Sequence, residues 1–227
     1  ECCVVPLVHL AALDSTGPDS TAFLNNLLSN DVATLSADRA QWSSFSTPKG
    51  RMLASFLLWP RGDGHALVLA ADLQAAMAKK LGMYVLRSKV KLTAADDTLL
   101  IGVCGAKALA TLERAGLAAA DDVLALARHD TVTVIRVAAD ACLLALPAER
   151  AEAVLLALRE AGATLANLDV WQQAMIRAGL PLITAATQDE FVPQMVNLDL
   201  IGGVNFKKGC YPGQEIVART QYLGKLK

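Results

Sequence analysis

Apolar and polar positions alternate in short runs through the first half of this chain, interrupted by stretches where apolar residues recur at helical spacing. Val4-Val5-Pro6-Leu7-Val8-His9-Leu10 alternates loosely and predicts a strand within residues 4–13. Thr16-Gly17-Pro18-Asp19-Ser20 then signals a helix start, with Pro18 near the first helical position and Asp19 in the first turn. Phe23, Leu24, Leu27 and Leu28 follow at helical spacing, so this helix buries one face. Residues 41–45, 52–59 and 66–69 read as three strands. Thr47-Pro48-Lys49-Gly50 makes a reverse turn between the first two, and Pro60-Arg61-Gly62-Asp63-Gly64 ends the second. Asp72 stands where a helix cap belongs, ahead of Leu73, Ala76, Met77, Lys80, Leu81 and Tyr84 on one helical face.

The pattern continues with a half-buried strand over 88–93, Val90 and Leu92 alternating with Lys89, Lys91 and Thr93. Asp96-Asp97 turns it into a buried strand at 99–104. An alanine-rich helix is predicted over 106–115, a weaker helical segment over 121–127, strands at 132–137 and 142–146, and a helix at 148–161. Residues 169–181 form a capped helix stopped by Gly179 and Pro181. Strands and helices interleave without regular β–α alternation, which predicts an α+β fold with mixed or antiparallel sheets.

Composition narrows the class. A chain of 227 residues with 54% hydrophobic content can bury one or two cores. No apolar run reaches the ~18 residues a membrane span needs, so no membrane partner is expected. The formal charge of −1 gives no global attraction to nucleic acid, although basic residues cluster at Lys79-Lys80, from Arg87 to Lys91 and at Lys207-Lys208. The five cysteines lack Cys-x-x-Cys spacing and a nearby histidine partner, which fits a reducing, cytoplasmic setting and neither a disulfide framework nor a zinc site. The sequence opens on Glu1 without a signal-peptide pattern, as expected of a trimmed start.

The densest candidate chemistry lies near the end, at Lys207-Lys208-Gly209-Cys210-Tyr211-Pro212-Gly213-Gln214-Glu215. Pro212-Gly213 predicts a sharp turn into a helix beginning at Gln214 and Glu215, whose side chains could satisfy free amides there or anchor the loop. Two lysines and a helix start favour a thiolate at Cys210 and a pKa below the free value of ~8.5. Against that stands the common use of free cysteine as a small buried residue. A reactive Cys210 with Lys208 as its electrostatic activator can ligate iron transiently, be oxidised to sulfenic acid, or form a mixed disulfide. A single thiol cannot hold a cluster, so cluster chemistry would require a second chain or a small thiol.

The string KKGCYPGQEIVART resembles the signature of YgfZ-type folate-binding proteins, K-G-C-[FY]-x-G-Q-E, with every fixed position filled by Lys208, Gly209, Cys210, Tyr211, Gly213, Gln214 and Glu215. FLNNLLSNDV at 23–32, the helix with Trp171, FVPQ at 191–194 and NLDLIGG at 197–203 resemble further blocks of that family. The likeness is strong after residue 169 and weak between about 95 and 165. The family is a sister of the aminomethyltransferases, and the resemblance implies their folate-binding fold, with mixed or antiparallel sheets and helices around a central cavity. It suggests two interwoven subdomains, roughly 1–45 with 165–227 and 46–164, and a C-terminal β-barrel lying beyond residue 227. It further implies a tetrahydrofolate-type ligand, iron–sulfur proteins or their assembly factors as partners, a link to tRNA modification, and no direct nucleic-acid contact.

A folate site needs an apolar or stacking wall, polar groups for the pterin and cations for the anionic tail. Trp171 and Tyr84 are candidate walls, Asn30, Gln194 and Asn197 candidate polar edges, and Arg87, with Lys89 and Lys91, the candidate tail site. Trp171 reads equally as core, Asn30 as a helix-end cap, and the basic strand as a solvated face. The resemblance also exposes a difference. The transferases carry an Asp-Asp pair beyond the glycine matching Gly50, and Ala54 and Ser55 stand at those positions here. The expected function is therefore a tetrahydrofolate-binding accessory protein for iron–sulfur cluster assembly or repair, with Cys210 as its thiol. The alternative is a folate-dependent aminomethyl or one-carbon transferase using another acid.

Overall fold

A computed structural model describes residues 1–224 and is α+β, as the pattern predicts. It divides into two compact units that each draw on separated segments. One comprises Glu1–Leu10, Asp38–Ala40 and Asp96–Ala178; the other comprises Ala11–Ala37, Gln41–Ala95 and the chain from Gly179 onward. Residues 46–95 thus join the unit that holds the cysteine motif, whereas the expected grouping put them with 96–164. The reason lies in the sheet: strands at 41–46 and 52–61 pair directly and cannot be parted at residue 45.

The motif-bearing unit is built on a five-stranded sheet. Its strands are β2 (Leu10–Thr16), β3 (Gln41–Ser46), β4 (Met52–Arg61), β5 (Gly64–Ala70) and β6 (Lys91–Ala94), in the order β3-β4-β5-β2-β6. The long apolar run of β4 and all of β5 are buried nearly end to end. Gly64 sits so close to β2 that a Cβ there would fall 1.8 Å from the Ser15 carbonyl oxygen, a contact that only glycine permits. Helix α1 (Ser20–Leu27) buries Phe23, Leu24 and Leu27, α2 (Gln74–Gly82) buries Met77 and Leu81, and α6 (Gln214–Leu223) buries Val217 in the same core as Phe45, Phe56 and Leu67. Asp72 does not cap α2. A short 3-10 turn precedes the helix, and the Asp72 carboxylate instead accepts the Ala185 amide at 3.0 Å. The half-buried strand expected at 88–93 is shorter and later, as β6.

The other unit carries a six-stranded sheet ordered β11-β1-β7-β10-β9-β8. Its strands are β1 (Cys3–Pro6), β7 (Thr98–Cys104), β8 (Leu126–His129), β9 (Val132–Ala138), β10 (Ala141–Pro147) and the two-residue β11 (Thr164–Leu165). β1 runs parallel to β11 and antiparallel to β7, so the sheet is mixed. Helices α3 (Ala108–Arg114) and α4 (Ala151–Glu160) bury Leu112, Val154 and Leu158 against Val103, Val134 and Leu144 on one face. The helix expected over 121–127 is absent. Leu124 takes a left-handed φ of 65°, its amide donates to the Arg136 carbonyl, and its own carbonyl accepts the Ala40 amide, both at 2.7 Å. Those backbone bonds tie the segment beside β9, and β8 follows as a strand; tertiary pairing overrides weak local helix propensity.

Helix α5 (Leu168–Arg177) packs on β1 and β7. Trp171, only 2% exposed, lays its indole on Gly102, where a Cβ would stand 2.3 Å from the ring. Gly102 alternates with Val103 along β7 and so faces the opposite side of the sheet from α3 and α4. The indole expected to wall a ligand pocket packs on that side of the sheet. Trp171→Ala should therefore lower stability by about 3–5 kcal/mol, as other buried Trp truncations do, read as a drop in the urea midpoint at unchanged slope.

Candidate functional site

The loop that leads into the cysteine motif is sewn to α1 and β3 by side chains that start at Ser29. The Ser29 hydroxyl donates to the Gly203 carbonyl at 2.7 Å and accepts the Ser44 amide at 2.8 Å and the Ser44 hydroxyl at 3.0 Å. Asn30 donates its side-chain N–H groups to the Trp42 carbonyl at 2.9 Å and the Gly202 carbonyl at 2.7 Å, and its Oδ1 accepts the Asp31 amide at 2.9 Å. Both ends of the Asn30 amide thereby take part in orienting the loop. Asn205 continues the seam: its amide donates to the Ser29 carbonyl at 2.9 Å, and its Oδ1 accepts the amides of Lys207 at 2.8 Å and Lys208 at 3.1 Å, an Asx turn.

That turn aims Lys208 inward. Its ammonium is buried and donates to the carbonyl oxygens of Asn25 and, at 2.5 Å, Leu28. These carbonyls belong to the last turn of α1, where backbone acceptors lack intrahelical partners and the helix dipole favours a cation. The Tyr211 ring lies under the ammonium, 4.9 Å from nitrogen to centroid, and adds a cation–π contact. Burial pulls Lys208 down from 10.5 to about 8, partly offset by the charges of Asp31 and Cys210. Tyr211 is buried with it, and burial pushes its hydroxyl up to about 12. Lys208 thus acts first as a clamp between motif loop and helix.

Beyond the clamp, Cys210 is exposed, as is Gly209, where an added Cβ would meet nothing within 4 Å. Pro212 and Gly213 then turn the chain into α6. Gly213 has φ +81°, and a Cβ on it would lie 2.4 Å from the Thr47 carbonyl oxygen and 2.7 Å from the Gly50 Cα. Gly50, at φ +74°, closes the 47–50 turn, with its amide donating to the Thr47 carbonyl at 2.8 Å, and a Cβ there would press on Ile216 at 3.0 Å. The two turns interlock because both lack side chains at the contact. The Gln214 side chain reaches back to the Lys208 carbonyl at 3.3 Å and anchors the loop, whereas Glu215 is exposed in the first turn of α6.

Gln194 is 7% exposed and donates to the Val217 carbonyl of α6 at 2.8 Å, while its Oε1 is buried without a partner among the described residues. Asp199 Oδ1 is buried without a partner as well. Asn197 is exposed at a left-handed φ of 58°, and Arg87 is exposed in the connection before β6. Lys208, Cys210, Asn30, Gln194, Asn197 and Arg87 therefore share one unit, and Trp171 belongs to the other. Ala54 is fully buried, and the Ser55 hydroxyl accepts the Ile183 amide at 3.0 Å, so neither position has room for an exposed carboxylate.

Sequence reasoning overlooked Ser29, Asn205 and Asp199, and it read Gly50 as part of a turn without its contact to Gly213. A polar Ser-Asn pair directly after an apolar helix, and an Asn two residues before Lys207, were the available signals for the first two. Lys208→Met should destabilise the chain by about 1–3 kcal/mol, because two helix-end carbonyls lose their donor. Between pH ~8 and 10.5 the unfolded chain holds a proton on Lys208 that the folded chain does not, so this group's contribution to stability rises with pH across that window. The deficit of the Met variant should accordingly widen as denaturation is repeated from about pH 8 toward 10.

No family model matches the chain. Curated relatives called tRNA-modifying protein YgfZ do. One from Vibrio vulnificus (strain YJ016) is 33% identical over 224 residues, covering 99% of this chain and 67% of its own length. Another, from Enterobacter sp. (strain 638), is 35% identical over 226 residues, covering 97% of this chain and 68% of its own length. The chain spans about two thirds of the length of the relatives it matches. Among solved structures, the glycine cleavage system aminomethyltransferase T from Bartonella henselae superposes with a TM-score of 0.81 at 18% identity, over 97% of this chain and 63% of that one. That likeness establishes the fold.

Proposed function

This chain belongs to the family of tRNA-modifying YgfZ proteins, and on that premise we propose that it binds a reduced folate and serves iron–sulfur cluster assembly or repair through the thiol of Cys210. The observation that carries the reading is the distribution of thiols. Cys2, Cys104 and Cys142 are buried, Cys3 is half-buried, and Cys210 is exposed. Burial raises Cys2, pushes Cys104 up to about 11 and pushes Cys142 up to about 12, which suppresses their thiolates near neutral pH. Cys210 is exposed, on a loop held by the Lys208 clamp and the Gly50–Gly213 contact. A thiol so presented can ligate iron in passing or attack a partner's disulfide, forming a mixed disulfide and releasing the partner's other sulfur as a thiolate, and iron–sulfur proteins or their assembly factors are its partners in this reading. The link to tRNA modification then runs through cluster-dependent enzymes in a cytoplasmic setting.

Folate is supported by the aminomethyltransferase fold and by one feature of the chain's own residues. Gln194 Oε1 is a buried acceptor with no partner among the described residues, and a pterin carries amino and ring N–H donors that suit such an oxygen. Asn197 is proposed for the same polar edge and Arg87 for the anionic tail. When bound, the reduced pterin would supply a one-carbon carrier or a reductant. A second reading, aminomethyl or one-carbon transfer, is favoured by the fold, but Ala54 and Ser55 supply no charge for it.

With limiting iodoacetamide at neutral pH, Cys210 should alkylate first and Cys104 and Cys142 last, read by peptide mass spectrometry. Cys210→Ser should fold normally yet fail to restore cluster-dependent enzyme activity in cells lacking the protein. Faster labelling of a buried thiol, or full complementation, would remove Cys210 from the mechanism. Titration with tetrahydrofolate should show saturable binding that Gln194→Leu weakens roughly tenfold, in line with losing one hydrogen bond to a desolvated partner. Equal affinity would take Gln194 out of the site, and turnover of an aminomethyl donor would favour the transferase.

A further inference from the structure

The 23 residues between Asp72 and Asp96 contain five cations, Lys79, Lys80, Arg87, Lys89 and Lys91, and no acidic residue, in a chain whose formal charge is −1. The fold concentrates them. Lys79 and Lys80 lie in the last turn of α2, α2 packs against β6, and Lys91 opens β6, which is an edge strand of the five-stranded sheet. Among the described residues none of the five has an ion pair. The nearby carboxylate of Asp19 is engaged by the Lys89 backbone amide at 2.7 Å. Charge of one sign, held on adjoining elements and left without partners, attracts a polyanion.

The connection between α2 and β6 adds an apolar tip. Leu86 is 90% exposed and takes φ 40°, a left-handed conformation that a leucine rarely adopts. Met83 is 64% exposed, and Tyr84, edge-on to Phe45 at 5.9 Å, is 42% exposed. An exposed leucine held in a strained backbone conformation is a recurring mark of binding segments. Cations flanked by an aromatic and aliphatic tip match the needs of a ribose-phosphate backbone with accessible bases, where phosphates supply affinity and ring faces supply contact.

We infer that the α2–β6 segment, with Lys79, Lys80, Lys89 and Lys91 around Tyr84 and Leu86, is a docking surface for RNA. The choice of RNA over other polyanions rests on the tRNA-modification reading, and it adds direct contact where that reading required none. The binding is electrostatic in origin, so it weakens steeply with salt and tolerates many sequences.

The test is fluorescence-anisotropy titration of unmodified tRNA with the purified chain at several salt concentrations. The variant Lys79→Gln/Lys89→Gln/Lys91→Gln leaves Arg87, proposed for folate, in place, and Lys107→Gln on the other unit is the control. The wild type should bind at low salt, the triple variant at least tenfold more weakly, and the log–log salt slope should fall in magnitude by about 2–3, roughly 0.7–0.9 per lost phosphate contact. The control should match the wild type. Absent or salt-independent binding, or an unaltered triple variant, overturns the inference, as does a variant that loses affinity for acidic phospholipid vesicles or polyglutamylated folate while RNA affinity holds. Cys210→Ser cells tested for cluster-enzyme activity keep the two readings separate: a client defect with no RNA binding sinks the docking surface alone.

Discussion

The motif loop depends on one buried charge. An ammonium removed from water is costly unless its protons are taken up, and Lys208 meets that requirement with two carbonyls at the end of α1 and the face of Tyr211. The helix gains as well, since its last carbonyls would otherwise lack donors in a packed interior. Each side of the contact solves the other's problem, which ties residues 25–28 to residue 208 across most of the chain. The position of Lys208 also sets that of the thiol: Cys210 is presented two residues later, outward, because Lys208 is fixed inward.

The clamp alone would leave the loop free to swing beyond Cys210. The glycine contact removes that freedom. Gly213 approaches the 47–50 turn closely enough that any side chain at either glycine would collide, so α6 starts at a defined place and its Val217 carbonyl meets Gln194. Ser29, Asn30 and Asn205 fix the entry to the loop in the same manner. The thiol is exposed between anchors on both sides, with open space around the preceding glycine, while Cys2, Cys104 and Cys142 are sequestered by burial.

Much of the frame was legible in the chain because it depends on local pattern. The alternation in 41–69, the Pro-Gly turns, the apolar spacing of 23–28 and the helix stop at Gly179-Leu180-Pro181 each specify structure within a few residues. The misses share one cause, which is partners far away in sequence. Asp72 looks like a cap until the Ala185 amide competes for it, and 121–127 looks weakly helical until Arg136 and Ala40 claim its backbone. The site was legible only in part for the same reason. The glycines, Tyr211 and the thiol were found as a motif, whereas the inward course of Lys208 could not be read without knowing that α1 ends beside it. Trp171 illustrates the converse: a tryptophan on an amphipathic helix serves equally as platform or core, and nothing local in the chain tells that Gly102 is the residue it lies against.

The inward course of Lys208 changes the chemical argument. Two lysines before a cysteine suggest a thiol activated by neighbouring positive charge. Yet one of those ammonium groups is hydrogen-bonded to backbone and shielded by an aromatic ring, so its charge is mainly used to hold the loop. Burial lowers Lys208 to about 8 even though the charges of Asp31 and Cys210 both draw it upward. Access then decides which thiol reacts more than electrostatic activation does. What the structure itself displays at this motif is the geometry of presentation. The Lys208-Gly209-Cys210 order suits that geometry: the lysine is buried, the cysteine is exposed, and the glycine between them has open space around it.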